Sequence, residues 1–345
     1  MSIPDRRRAA VPLLAAATLL AACAAPPEKP TAPDASLVWP APPAPPRIAY
    51  AGSFSGPDDL GIRRGFFRRL ADALFGADDE RLIRPMSVVE VGDLLYVADP
   101  GARGVHRFDR GAGRHDLLGG PRRSALPSPI GLAVGPGGEV YATDSALRQV
   151  FVIRPGVAEA EPLPLEVQPG QPTGIAWDAG QERLLVVDTR HHRIEAFSPD
   201  GRYLGSIGRR GDGPGEFNYP TFLWRMPDGR LLVTDSLNFR VQVLEADGRP
   251  RNRFGRPGDG TGDIARHKGI ATDRHGHVIL ADALFHAIQI FDGEGTLLLS
   301  IGAQGRNPGE FWLPAGVFVG ADDTIYVADA YNQRVQMFRY RWDTP

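Results

Sequence analysis

Six aspartates stand at nearly even intervals: Asp99, Asp144, Asp188, Asp235, Asp282 and Asp329, spaced by 45, 44, 47, 47 and 47 residues. Carboxylates can act as general acids and bases, as nucleophiles or as metal ligands. The even spacing argues for another role. A residue that returns in every copy of a repeat holds the same turn each time, its carboxylate accepting backbone N–H groups of the loop that follows. Arg148, Arg193, Arg240 and Arg334 return after that loop and are read as its structural partners.

Eight histidines raise the question of a metal. His191 and His192 are adjacent, so in an extended segment they point to opposite sides and do not clasp one ion. His267 has no aligned companion, and His275 and His277 flank a glycine in a turn. Asp259 and Asp263 lack the ligand spacing of a calcium loop. The glycine-rich stretches 208–217 and 302–311 precede no helix whose N-terminus could hold phosphate. The tripeptide Arg210-Gly211-Asp212 is read as part of such a stretch. No serine lies in a nucleophile elbow and no isolated carboxylate pair emerges. The sequence therefore assigns no catalytic residue, no metal and no cofactor, and leans away from an enzyme.

Composition narrows the class further. With 41 Gly and 32 Pro in 345 residues, roughly a fifth, the chain stays below the ~25–30% at which aperiodic low complexity is the better description. A single Cys closes no intramolecular disulfide and builds no thiolate cluster. The 39 basic residues balance 41 acidic ones, against a nucleic-acid partner bound by a basic stripe.

The elements that position the aspartates are short β-strands. Each aspartate ends an apolar run, as in LLYVAD to Asp99 and TIYVAD to Asp329, and a second run follows after a polar loop, as in RVQVL from Arg240 and RVQMF from Arg334. Each is preceded by a run opening near Pro85, Pro129, Pro172, Pro220 or Pro314, with His267 in that place in the fifth copy. A further strand follows in five copies, clearest in RYLGSIG from Arg202 and TLLLSIG from Thr296. Four strands in about 45 residues make a propeller blade. Val327-Ala328-Asp329, Asn332, Arg334 and Phe338 together resemble the NHL repeat, and His191-His192-Arg193-Ile194 matches its His-Arg-Ile core, over roughly residues 85–340. Copies one, two and five are degenerate, with Gly104 and Ala287 where Arg usually stands.

The fold expected is all-β, a six-bladed β-propeller of NHL repeats spanning 47–345. The sixth copy lacks a fourth strand, and Arg47 to Phe54 lines up with Arg202 to Ile207, so residues 47–56 are expected to close the last blade. Residues 57–84 fit no blade. There Ile62, Phe66, Phe67, Leu70, Ala73 and Leu74 recur at three and four, which predicts one short amphipathic helix over 58–76 before the first blade. Six-bladed relatives of this repeat include an amidating lyase that holds zinc with histidines at the starts of inner strands. The equivalent positions are Met86, Ile130, Thr173, Thr221, Lys268 and Ala315, none of them His.

The N-terminus reads as an address. Arg6, Arg7 and Arg8 precede a 14-residue apolar run over 9–22, too short to span a bilayer as a helix. It ends Leu20-Ala21-Ala22-Cys23, which resembles the lipobox of bacterial lipoproteins and implies removal of a signal peptide over 1–22 and acylation of Cys23. By the family rule, Ala24 after the Cys implies an outer-membrane lipoprotein facing the periplasm. Residues 23–46 then form the lipidated Cys and a Pro-rich spacer, with nine Pro over 24–46.

In a propeller the loops after each aspartate and the linkers between blades rise on one face. That face is expected to gather Arg103, Arg122, Arg123, His191, His192, Arg209, Arg210, His267, Lys268 and Tyr331 as a binding face. The functional expectation is a membrane-anchored, non-catalytic binding or scaffold protein of the bacterial envelope whose partner is a protein, peptide or glycan. The alternatives are an envelope lyase or hydrolase with a metal at the channel mouth and His267 as its recruit, or an accessory subunit of an envelope electron-transfer or export complex.

Overall fold

In a computed structural model the structure describes residues 37–62, 80–119 and 126–341. The expected signal peptide over 1–22, Cys23, the spacer over 24–36, residues 63–76 of the expected helix, and Arg122 and Arg123 lie outside the described residues.

Six antiparallel sheets follow one another along the chain. The first comprises Ser87–Val91, Leu94–Asp99, Gly104–Asp109 and Arg114–Gly119. The inner strands of the next five are Pro129–Val134, Pro172–Asp178, Pro220–Arg225, His267–Thr272 and Pro314–Val319. Each repeat aspartate ends the second strand of its blade. The second strands read as unbroken apolar runs because both faces of each blade are covered by its neighbours. Blades 6 and 1 share a cluster that includes Phe54, Phe108, Tyr326 and Val335, and blades 4 and 5 share one that includes Leu232, Val243, Ile270 and Leu280. The other neighbouring pairs share equivalent clusters, so the core is a ring of inter-blade seams.

The ring closes through the N-terminal segment. Ile48–Phe54 pairs antiparallel with Arg334–Tyr340, from Ile48 opposite Tyr340 to Phe54 opposite Val335. Closure goes one strand further than expected. Val38–Trp39 pairs with Ile48 and Ala49, making blade 6 five-stranded, and the Trp39 ring meets Phe338 edge-on at 5.8 Å. Residues 38–39, expected in the spacer, are therefore part of the blade. Their cross-strand partners and an aromatic surface overrode the local proline content.

The helix over 58–76 is not supported. Pro57–Leu60 form one 3-10 turn, which stops at Gly61 with a left-handed φ of 74°. Ile62 instead packs in the seam between blades 6 and 1.

Close approach of the inner strands around the axis rests on glycine. A Cβ on Gly174 would lie 2.6 Å from the Cα of Phe222, and one on Gly269 would lie 2.4 Å from the backbone N of Val317. Adjacent blades thus touch backbone to backbone. The channel they enclose holds a cavity of about 180 Å³ with a mainly apolar lining that includes Leu132, Ile175, Phe222, Trp224 and Phe318.

Candidate binding face at the channel mouth

The repeat aspartates are all fully buried and hold the loops. In blade 4, Asp235 accepts from the Asn218 N–H at 2.6 Å, Asn238 Nδ2 at 2.8 Å, Arg240 Nε at 2.8 Å and Gln242 Nε2 at 3.2 Å. Blade 6 repeats the set on Asp329 with Trp312, Asn332, Arg334 and Gln336. In blade 5, where Phe285 and Ala287 replace the Asn and Arg, Asp282 accepts N–H groups of Ala265, Arg266, Leu284 and Phe285, and Gln289 donates to the Asp263 carbonyl instead. Burial raises the Asp235 and Asp329 carboxyls, partly offset by these donors. Among the described residues, Asp144 and Asp99 accept backbone N–H groups in the same way.

The linkers between blades lie beside these loops. Arg240 donates to the carbonyls of Asp212, Gly213 and Glu216, and Asn238 to that of Gly211. Loops and linkers therefore share one face. Four residues after each aspartate, every blade places a non-glycine residue at a left-handed φ of 53–59°: Arg103, Arg148, His192, Phe239, His286 and Gln333. The sequence reading missed this feature of the repeat. Two of these residues tie the loop to the next blade, since His192 Nδ1 accepts from the Tyr219 N–H at 3.0 Å and His286 Nδ1 from the Leu313 N–H at 3.1 Å.

Two residues expected on the binding face belong to the interior. His192 is 7% exposed, and burial, with Arg210 nearby, lowers its pKa. His267 is 1% exposed, its Nε2 lies 2.9 Å from the Arg240 carbonyl, and burial lowers its pKa to about 4. It fills the place of the buried inner-strand prolines, so it is no recruit for a metal at the mouth. Arg103, Arg209, Arg210 and Tyr331 are exposed, and Arg209 pairs with Glu216 at 2.8 Å.

Lys268 lies on the inner strand of blade 5. It is half-buried, and no carboxylate partners it among the described residues. Burial, with the charges of Arg266 in its own blade and Arg84 in front of blade 1, lowers its pKa to about 8. The aspartate loops also carry exposed apolar side chains, of which the sequence reading named Tyr331 but not Leu237 or Leu284. Leu237, Leu284 and Tyr331 are 52%, 58% and 52% exposed, and each lies two residues after the aspartate in blades 4, 5 and 6. Aligning the six loops by their aspartates would have exposed this column. Tyr331 meets Trp312 at 5.9 Å, and the Arg306 guanidinium sits 5.3 Å over the Trp312 ring.

The fold and its loop network define a six-bladed β-propeller. Residues 311–338 match the NHL repeat, and residues 170–224 match a family described as a 6-bladed β-propeller. Among curated proteins, the peptidyl-glycine alpha-amidating monooxygenase of Mus musculus is 31% identical over 126 residues, covering 32% of this chain and 13% of that protein. The Xenopus laevis form A is 34% identical over 115 residues, 29% of this chain and 12% of that protein. The chain thus matches about an eighth of the length of these relatives. Among solved structures, a streptogramin B lyase superposes with a TM-score of 0.56 at 15% identity, covering 75% of this chain and 94% of that one. A putative gluconolactonase gives 0.58 at 15% identity, covering 77% and 90%. An auxiliary nutrient binding protein from Bacteroides ovatus gives 0.59 at 12% identity, covering 75% and 70%. At these identities the likeness is one of fold.

Proposed function

We propose that the protein is a non-catalytic binding module of the bacterial envelope, anchored by a lipid on Cys23, that presents the aspartate-loop face of its propeller to a protein, peptide or glycan partner. The observation that carries this reading is the exposure of Leu237, Leu284 and Tyr331 at one loop position in three successive blades, with the half-buried Lys268 on the fifth inner strand as a cation that no carboxylate partners among the described residues. Exposed apolar side chains together with a desolvated cation fit a partner that offers both an apolar surface and an acidic group. The positions where an amidating lyase would hold zinc carry Met86, Ile130, Thr173, Thr221, Lys268 and Ala315, which supports binding over metal-dependent chemistry.

Photo-crosslinking from positions 237, 284 and 331 in the native envelope tests the reading. One reproducible partner, lost in a Leu237→Ser/Leu284→Ser/Lys268→Met variant that melts like the parent, is the expected result. Uniform background labelling from all three positions would refute it. Cys23→Ser is expected to move the protein to the soluble periplasmic fraction, and persistent membrane association would refute the anchor. A second reading, a lyase, is favoured by the lowered pKa of Lys268, which suits a general base near neutral pH. It predicts turnover of an elimination substrate that Lys268→Met abolishes.

A further inference from the structure

In blades 4 and 6 the loop network is balanced: one carboxylate faces donors from Asn, Arg and Gln. Blade 3 departs from it at two positions. His191 stands where the others have Asn238 and Asn332, and Glu195 stands where they have Gln242 and Gln336. The glutamine on that rung donates to the repeat aspartate, at 3.2 Å in blade 4 and 3.1 Å in blade 6. A glutamate there has no proton to give, so blade 3 aims a second buried carboxylate at Asp188.

Both carboxylates are fully buried. Arg193 has left the aspartate, which its counterparts bind, and sends Nε and Nη2 to Glu195 Oε1 at 2.9 and 2.7 Å. Glu195 Oε2 is buried with no hydrogen-bond partner. Asp188 Oδ2 accepts from the Gly170 N–H at 2.7 Å and lies 2.6 Å from His191 Nδ1, while Asp188 Oδ1 accepts from the N–H groups of Gln171 and His191. One ligand atom from each of Asp188, His191 and Glu195 falls within 4.8 Å of the others. The His191 side chain is 47% exposed, which opens the group to solvent on one side. Room for its ring comes from Gly170, where a Cβ would lie 2.6 Å from His191 Cε1.

Two carboxylates and one guanidinium leave a negative charge in the interior, which is costly unless a cation or a proton meets it. We infer that blade 3 binds a divalent transition-metal cation of the zinc class through Asp188, His191 and the free oxygen of Glu195. One imidazole nitrogen and two carboxylate oxygens suit that class, and three protein ligands fall short of the six to eight oxygens calcium takes. With the open side toward solvent, water or a partner's group completes the shell. The site lies in the loop of one blade, apart from the inner-strand positions around the axis.

The test is a calorimetric titration of the purified, metal-stripped full chain with ZnCl2, with melting followed in parallel. One equivalent of tight binding and a zinc-dependent rise in melting temperature are expected. Glu195→Gln and His191→Asn install the residues that blades 4 and 6 fold with, so both variants are expected to melt like the metal-free parent and to bind zinc at least 10-fold more weakly. His191→Ala, at an exposed side chain, gives a second variant if either fails to fold. Absence of a tight equivalent in the parent would overturn the inference. Equal affinity in the Glu195→Gln/His191→Asn double variant would overturn it too, since zinc would then sit elsewhere.

Discussion

Ring closure makes a prediction that can be worked from a single side chain. Phe54 ends the N-terminal strand that pairs with Arg334–Tyr340, is 1% exposed, and meets the Phe108 ring of blade 1 edge-on at 5.5 Å. It thus belongs to the strand that completes blade 6 and packs in the seam that joins blade 6 to blade 1. Truncating a buried phenylalanine to alanine costs about 3–5 kcal/mol from lost transfer energy and the cavity left behind. For a chain of this size each kcal/mol lowers the melting midpoint by roughly 2–4 °C, so Phe54→Ala is expected to melt about 6–20 °C below the parent. Leu204→Ala is the matched control, because Leu204 is 44% exposed on the outermost strand of blade 3, Tyr203–Ile207, and its loss is worth about 0.5 kcal/mol or less. Differential scanning calorimetry at one fixed scan rate compares the three proteins. If Phe54→Ala melts within about 2 °C of the control, the N-terminal strand does not stabilise the ring and the closure argument is wrong.

Further expectations concern the axis, the loops and pH. Gly269→Ala places a methyl 2.4–2.6 Å from the backbone of blade 6, which cannot rotate away, so thermal melting is expected to show a loss of several kcal/mol; a midpoint unchanged from the parent would refute backbone contact at the axis. Asp235→Ala removes the acceptor of four hydrogen bonds and strands buried donors of Arg240 and Gln242. A loss of about 3–5 kcal/mol is expected in urea unfolding, and a loss below about 1 kcal/mol would deny the aspartate its structural role. Burial lowers the pKa of His106 to about 3, helped by His115, and that of His267 to about 4. The unfolded chain takes up these protons near pH 6.5 while the folded chain does not, so stability is full above pH 6.5 and falls toward pH 4, by about 1.4 kcal/mol per pH unit for each histidine. His106→Gln, which installs the residue of blades 4, 5 and 6, is expected to flatten that acid limb in pH-dependent melts; an equally steep limb would refute the assignment.

Much of the architecture was legible because its determinants are local. An apolar run ending in aspartate, a polar loop and a second run specify one hairpin, and the chain writes that hairpin six times. The closing strand was legible for the same reason, since Arg47 to Phe54 copies the outer strand of another blade. Val38–Trp39 was not, because its strand character comes from pairing with Ile48 and Ala49 and from the Phe338 ring beneath it. Of the helix expected over 58–76 only the start is described, and there Gly61 turns the chain left-handed after one 3-10 turn.

The candidate face divides along the same line. The sequence by itself determined six blades, the aspartates that pin their loops and the place where the ring is sealed, because strand period and turn chemistry act over a few residues. Only the tertiary structure decided that His192 and His267 face inward, that Leu237 and Leu284 stand exposed as Tyr331 does, and that Glu195 lies buried near Asp188 with one oxygen free. The physical reason is that a side chain's exposure and charge balance are set by what the neighbouring blade lays over it, and that neighbour lies some 45 residues away in the chain.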